Sequence, residues 1–148
     1  MKKLLTILAL TLSFLSFSQD LSQLSEGGFI ILGQYKKATK FASETLKLDA
    51  PNSAVFAEDM IRNNVTLPKD TLYAQWDALF NFAKNFYGMK QEVAGDFTMQ
   101  VLIKRAVLPG KTLKDQYRFA REFSTTVTTS QEAAQRLADE IFKNCARL

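Results

Sequence analysis

The 148-residue chain contains no histidine, a single cysteine at position 145 and only three prolines. Without histidine there is no Ser-His-Asp or Cys-His nucleophile, no imidazole base and no His-ligated metal site. A lone cysteine forbids an internal disulfide, so stability has to come from packing. No Gly-x-Ser-x-Gly, Ser-x-x-Lys or glycine-rich phosphate loop occurs; Gly27-Gly28 precedes an apolar run and reads as a turn. Carboxylate chemistry is the one catalytic route left, and glycoside cleavage needs two converging carboxyl groups about 5–10 Å apart. The neighbours Glu58-Asp59 and Asp139-Glu140 cannot face each other on a helix, while Glu26, Glu44, Glu92 and Glu122 belong to no motif. The composition points away from an enzyme, and no cofactor or metal is expected.

The chain opens MKKLLTILALTLSFLSFSQD, with Lys2 and Lys3 ahead of an apolar run from Leu4 to Phe17. Ser16 and Ser18 supply the small residues of a cleavage site before Gln19, so residues 1–18 read as a secretory signal peptide. The run is short of the about 20 apolar residues of a membrane span, and no cysteine follows it for a lipid anchor. The expected product is an exported protein, periplasmic or secreted, and not an integral membrane protein. Residues 19–148 then form one domain, large enough to bury a core unaided. Without Lys2 and Lys3 the charge falls from +4 to +2, which together with export argues against nucleic acid as a partner. The densest basic stretch, Lys104 to Arg121, reads as a solvated face.

Helical periodicity dominates the rest. In 69–87, Leu72, Trp76, Leu79, Ala83 and Phe86 form one stripe. Pro68 stands at its start, Asp70 in its first turn and Gly88 at its left-handed end. Similar stripes predict helices over 29–47, 52–64 (capped by Asn52 or Ser53) and 112–125 (capped by Thr112 with Asp115). A last helix follows Thr129, which has capping-box spacing to Glu132. Segment 96–107 fits both a helix and an alternating strand; with FIIL at 29–32 and TTVTT at 125–129 it keeps an α+β fold open. The expected fold is all-α, about six helices in one domain.

An internal echo bears on how those helices are arranged. LPKDTLYAQW at 67–76 and LPGKTLKDQY at 108–117 match at Leu, Pro, Thr, Leu and Gln with an offset of 41. A further 41 residues back lies Gln34-Tyr35, so Gln34-Tyr35, Gln75-Trp76 and Gln116-Tyr117 are equally spaced. Two architectures account for this: three tandem helical hairpins (candidate repeats 26–66, 67–107 and 108–148), α-solenoid-like, or an irregular helical bundle with similar helix starts.

The functional expectation rests on the aromatics. Beyond the leader stand ten Phe, four Tyr and Trp76, most of them on core stripes. Tyr35, Trp76 and Tyr117, with Gln34, Gln75 and Gln116, are the candidate binding residues along one side of the array. The partner expected there is another protein, the chain acting as an adaptor, inhibitor or assembly factor. The alternative is a small carrier enclosing an apolar ligand in an aromatic-lined cavity. Cys145 lies on the last apolar stripe; it is expected to be buried, or else to form an intermolecular disulfide.

Overall fold

Ser25, Asp49, Thr71, Thr112 and Ser130 each accept a hydrogen bond from a backbone N–H two or three residues into the following helix. Five of the six long helices begin at these side-chain caps, which satisfy donors that a helix start leaves unpaired. In the computed structural model, which describes residues 19–148, the helices are α1 (Glu26–Glu44), α2 (Ala50–Asn64), α3 (Leu72–Asn81), α4 (Gln91–Arg105), α5 (Leu113–Val127) and α6 (Gln131–Cys145). A short 3₁₀ turn, Leu21–Gln23, precedes α1, and a π-helical turn, Phe82–Phe86, extends α3. Among the described residues there is no strand, and no helix is long and apolar enough to cross a membrane. The leader, residues 1–18, lies outside the described residues.

Several boundaries differ from the sequence expectation, each for a local reason. Segment 96–107 is helix through Arg105. Its buried residues Ala94, Phe97, Thr98, Val101 and Leu102 make a helical stripe, but α4 packs against α2, α3 and α6. Met99 and Ile103 on its flanks are therefore half-buried as well, which imitates strand alternation. Gly27 and Gly28 are not a turn but the first turn of α1, because Ser25 caps there. Asp49 displaces Asn52 and Ser53 as the cap of α2, Ser130 displaces Thr129, and Thr71 leaves Pro68 and Asp70 outside α3. The Thr112–Asp115 cap forms as expected: the Asp115 N–H donates to Thr112 Oγ1 at 3.1 Å, and that hydroxyl donates to the Asp115 carboxylate at 2.7 Å.

The helices pair in chain order, α1 with α2, α3 with α4 and α5 with α6. First helices then pack on first helices (α1 on α3, α3 on α5) and second on second (α2 on α4, α4 on α6). This is a stack of three hairpins. Equivalent positions along the second helices carry small buried residues, Ser53, Ala94 and Ala134, then Ala57, Thr98 and Ala138, which let neighbouring backbones approach. Leu79, Phe82, Phe97, Leu102 and Ile141 fill the core between layers.

The turns inside the hairpins share the register too. The N–H of Leu48 donates to the carbonyl of Ala42, and that of Met89 to the carbonyl of Ala83, each closing a helix through a left-handed residue. That residue is Gly88 in the second hairpin and Lys47, at φ 57°, in the first. The third hairpin has a shorter turn, so α6 follows α4 at 40 residues while α4 follows α2 at 41.

Three glutamines, one per first helix, tie each hairpin together. Gln34 accepts from the N–H of Thr66 (2.7 Å) and donates to its carbonyl (2.8 Å). Gln75 does the same to Val107, at 2.8 Å both ways, and also donates to the carbonyl of Asp70. Gln116 does it to Arg147, at 2.9 and 3.1 Å. In each case the amide grips the peptide two residues beyond the second helix, where the chain is extended and has no ladder of its own.

The glutamines differ in burial, and their removal should differ accordingly. Gln75 is fully buried and holds three backbone groups, so Gln75→Ala leaves all three without their partner and should cost about 3 kcal/mol in urea unfolding. Gln34 and Thr66 are reached by solvent, and Gln34→Ala should cost only about 1 kcal/mol. Equal losses at the two sites would contradict this account.

Candidate binding site

The close packing of α1 on α3 depends on two small residues. A Cβ added to Gly27 would lie 2.7 Å from Cβ of Ala78, so only glycine permits this approach. One hairpin later in the same register stand Pro68 and Phe119. A ring and a phenyl group replace the two smallest residues, and α5 correspondingly touches α3 over less of its length than α3 touches α1.

Where α5 is held off, a solvent-open cleft of about 310 Å³ lies between the start of α3 and the middle of α5. Its walls are Leu72, Tyr73, Pro109, Phe119 and Phe123, with Glu122 at the rim. The hydroxyls beside it are already committed to backbone: Thr71 caps α3 and Thr126 donates to the carbonyl of Phe123 at 2.7 Å. Arg118 leans on Phe119, 5.1 Å from the ring, and reaches Glu122 at 3.8 Å. The cleft thus offers an apolar floor and one carboxylate.

An aromatic ladder runs along α3 from its mouth. Tyr73, 58% exposed, lies 6.0 Å from Trp76, whose ring stacks on Phe80 at 4.8 Å and 12°. Lys84 closes the row with its ammonium 5.6 Å from the Phe80 ring. Spacings of three and four residues keep all four on one helix face.

Comparison with protein-family models, with curated proteins and with solved structures returns no match for this chain.

The residues singled out from sequence fare unequally. Trp76 stands in the aromatic row beside the exposed Tyr73 but is itself half-buried against the core. Tyr35 instead packs edge-on against Phe86 at 4.9 Å and Tyr87 at 5.7 Å, in a cluster completed by Phe82 and Phe97. Burial pushes its phenol above the ordinary range, and that of Tyr87 much further. Tyr117 sits edge-on to Phe142 and donates to Asp139 at 2.9 Å. Hydrogen bonds from Gln135 and then Tyr117 hold the Asp139 carboxyl below its usual range. The three rings therefore belong to three separate settings rather than one ladder.

The glutamines need a firmer correction. Gln75 and Gln116 are buried, and all three amides are committed to backbone groups; they shape the hairpins, and of the three it is the solvent-facing Gln34 that keeps an N–H to spare. Tyr73, Phe80, Phe119 and Phe123 went unselected. Their signal lay in the register itself, where Phe119 replaces the small Ala78 one hairpin earlier.

Cys145 follows the buried reading. It is packed in the core, and its thiol donates to the carbonyl of Ile103 at 3.2 Å. Burial, outweighing a backbone hydrogen bond and the nearby Arg147, pushes the thiol pKa up. No group of His, Cys, Asp or Glu that could hold a metal occurs among the described residues.

Two outcomes follow. Gly27→Ala should force α1 and α3 apart and cost about 1–3 kcal/mol in denaturant unfolding, whereas Gly33→Ala, with nothing within 4 Å of the added carbon, should cost nothing. Cys145 should resist a thiol reagent at pH 8 in the native protein and react fully once unfolded. Rapid native labelling would show that the end of α6 opens far more readily than its packing implies.

Proposed function

We propose that this chain is an exported, non-enzymatic protein-binding module whose partner seats apolar side chains in the cleft between α3 and α5. The observation that carries this reading is the wedge at Phe119. It leaves an apolar cleft open beside a Tyr73–Trp76–Phe80 row in which Tyr73 is exposed and the other two rings are half-buried, while the α1–α3 interface brings Gly27 directly against Ala78. Tyr and Trp dominate binding hot spots because each supplies a large rigid body and a polar tip. At about 310 Å³ the cleft stands at the small end of the roughly 300–1,000 Å³ of small-molecule sites. Being open on one side, it suits a side chain presented from a surface better than a whole ligand to be sheltered. The carrier reading requires enclosure, and no feature of the cleft favours it. The signal-like leader supports export, which places the partner in the periplasm or outside the cell.

Site-specific photo-crosslinking in the native host tests this. A photoreactive phenylalanine at position 73 should trap one discrete protein. The same probe at Val93, exposed on α4, should not trap it. Phe119→Asp, which puts a charge in the cleft, should reduce the adduct at least about tenfold. Adducts confined to a small molecule of a few hundred daltons would move the assignment to a carrier. Equal adducts at 73 and 93 would remove the cleft from consideration.

A further inference from the structure

The outward face of α1 carries features that nothing inside the chain explains. Phe29 is 51% and Ile30 44% exposed, and Gly33 follows them on the same face with nothing within 4 Å of where its Cβ would be. A glycine in a helix interior weakens the helix unless a backbone must approach there. Gly27 has such a reason, in Ala78; Gly33 has none within its own chain. Around Gly33 the sequence is also arranged symmetrically by chemistry. Glu26 lies seven residues before it and Lys40 seven after, both exposed. Phe29 and Ile30 lie four and three before, and the exposed Lys36 and Lys37 three and four after.

We infer that this face is a self-association surface, on which α1 of a second copy docks antiparallel with the two Gly33 residues at the crossing. A two-fold axis through that crossing places the position seven before in one copy opposite the position seven after in the other. Each Glu26 then meets the other copy's Lys40, twice over. Phe29 and Ile30 come under the aliphatic stems of Lys36 and Lys37, with the ammonium groups free to reach water or the Phe29 ring. The pattern suits this chain's own copy better than an unrelated protein, because a face with acid at one end and base at the other is complementary to itself when reversed. Lys40 also lies 4.0 Å from Glu44, an exposed pair weak enough to yield. A single helix pair buries a small area, so the association is weak. The surface is separate from the α3–α5 cleft and stands whether or not the cleft binds a protein.

Sedimentation of the protein as its host delivers it, over about 1–100 μM, tests the inference. A concentration-dependent dimer is expected. Gly33→Leu should abolish it while leaving the thermal midpoint within a few degrees, since the added side chain points into open space. Glu26→Lys and Lys40→Glu should each weaken it about tenfold or more, and the two together should restore it to within about threefold. A monomer throughout the range, a dimer indifferent to Gly33→Leu, or charge reversals that do not rescue one another would each overturn the proposal.

Discussion

A glutamine amide presents one acceptor and two donors in a plane, which matches the N–H and C=O of a single residue in extended backbone. Placed on the inner face of each first helix, it seizes the strand-like residue where the second helix has ended and the chain turns toward the next hairpin. The rest of the architecture depends on that grip. Val65 and Leu67, like Ala106 and Leu108, are buried on either side of the gripped residue, whose own N–H and C=O are satisfied by the amide. The clamp thus allows apolar residues of the connecting segments into the core. It also sets the register in which one hairpin hands over to the next, through the buried leucines that precede Pro68 and Pro109. Its strength follows its burial: in the middle hairpin the amide is wholly enclosed, while in the first it faces solvent and competes with water.

With the register so set, the character of each layer interface comes down to the few residues that meet there. Gly27 against Ala78 brings α1 and α3 into contact, and Tyr35 is drawn between them into the Phe82–Phe86–Tyr87 cluster. In the π-helical turn Phe82 and Phe86 stack at 4.9 Å, and Tyr87, just past its end, lies edge-on to Phe97. Phe119, at the position that Ala78 occupies one hairpin earlier, is too large for the same approach and stands in the wall of the cleft. What is lost in packing between α3 and α5 reappears as accessible apolar surface, which is costly in isolation and becomes favourable only when something covers it. The binding reading thus rests on an asymmetry between two otherwise equivalent interfaces.

Helix existence was legible in the sequence and helix boundaries much less so. The stripes Leu72–Leu79–Ala83–Phe86 and Ala134–Leu137–Ile141–Cys145 are buried as their spacing requires. Caps were misassigned wherever several short polar residues stood together: Thr129 and Ser130 differ by one residue, and both can accept from a first-turn N–H. The α4 segment was ambiguous because periodicity reports one buried face, and a helix enclosed by three others has more than one. The Gln34–Gln75–Gln116 spacing was visible, but a long polar side chain is by default assigned to water. Only the extended segments that receive these amides, more than thirty residues downstream, turn them into structural parts. The cleft was hidden for a related reason, since it arises from a difference between copies while the sequence comparison attended to what the copies share.

The two ends of the stack are finished differently, and this bears on what the protein can do. The outer side of the third hairpin is polar and mostly paired within itself: Tyr117, Gln135 and Asp139 bond one another, and Arg118 and Arg136 pair with acids on their own helices, although Nη1 of Arg121 is buried without a hydrogen-bond partner. Leu113 is nonetheless left 42% exposed, where its counterparts Ile31 and Leu72 are buried beneath the next hairpin. The first hairpin instead leaves Phe29, Ile30, Phe41, Leu46 and Val55 in water. A terminal layer can be closed either by polar groups or by a partner. The third hairpin uses the first means; the apolar side chains at the α1 end stay in water, a cost that only burial against another surface would offset.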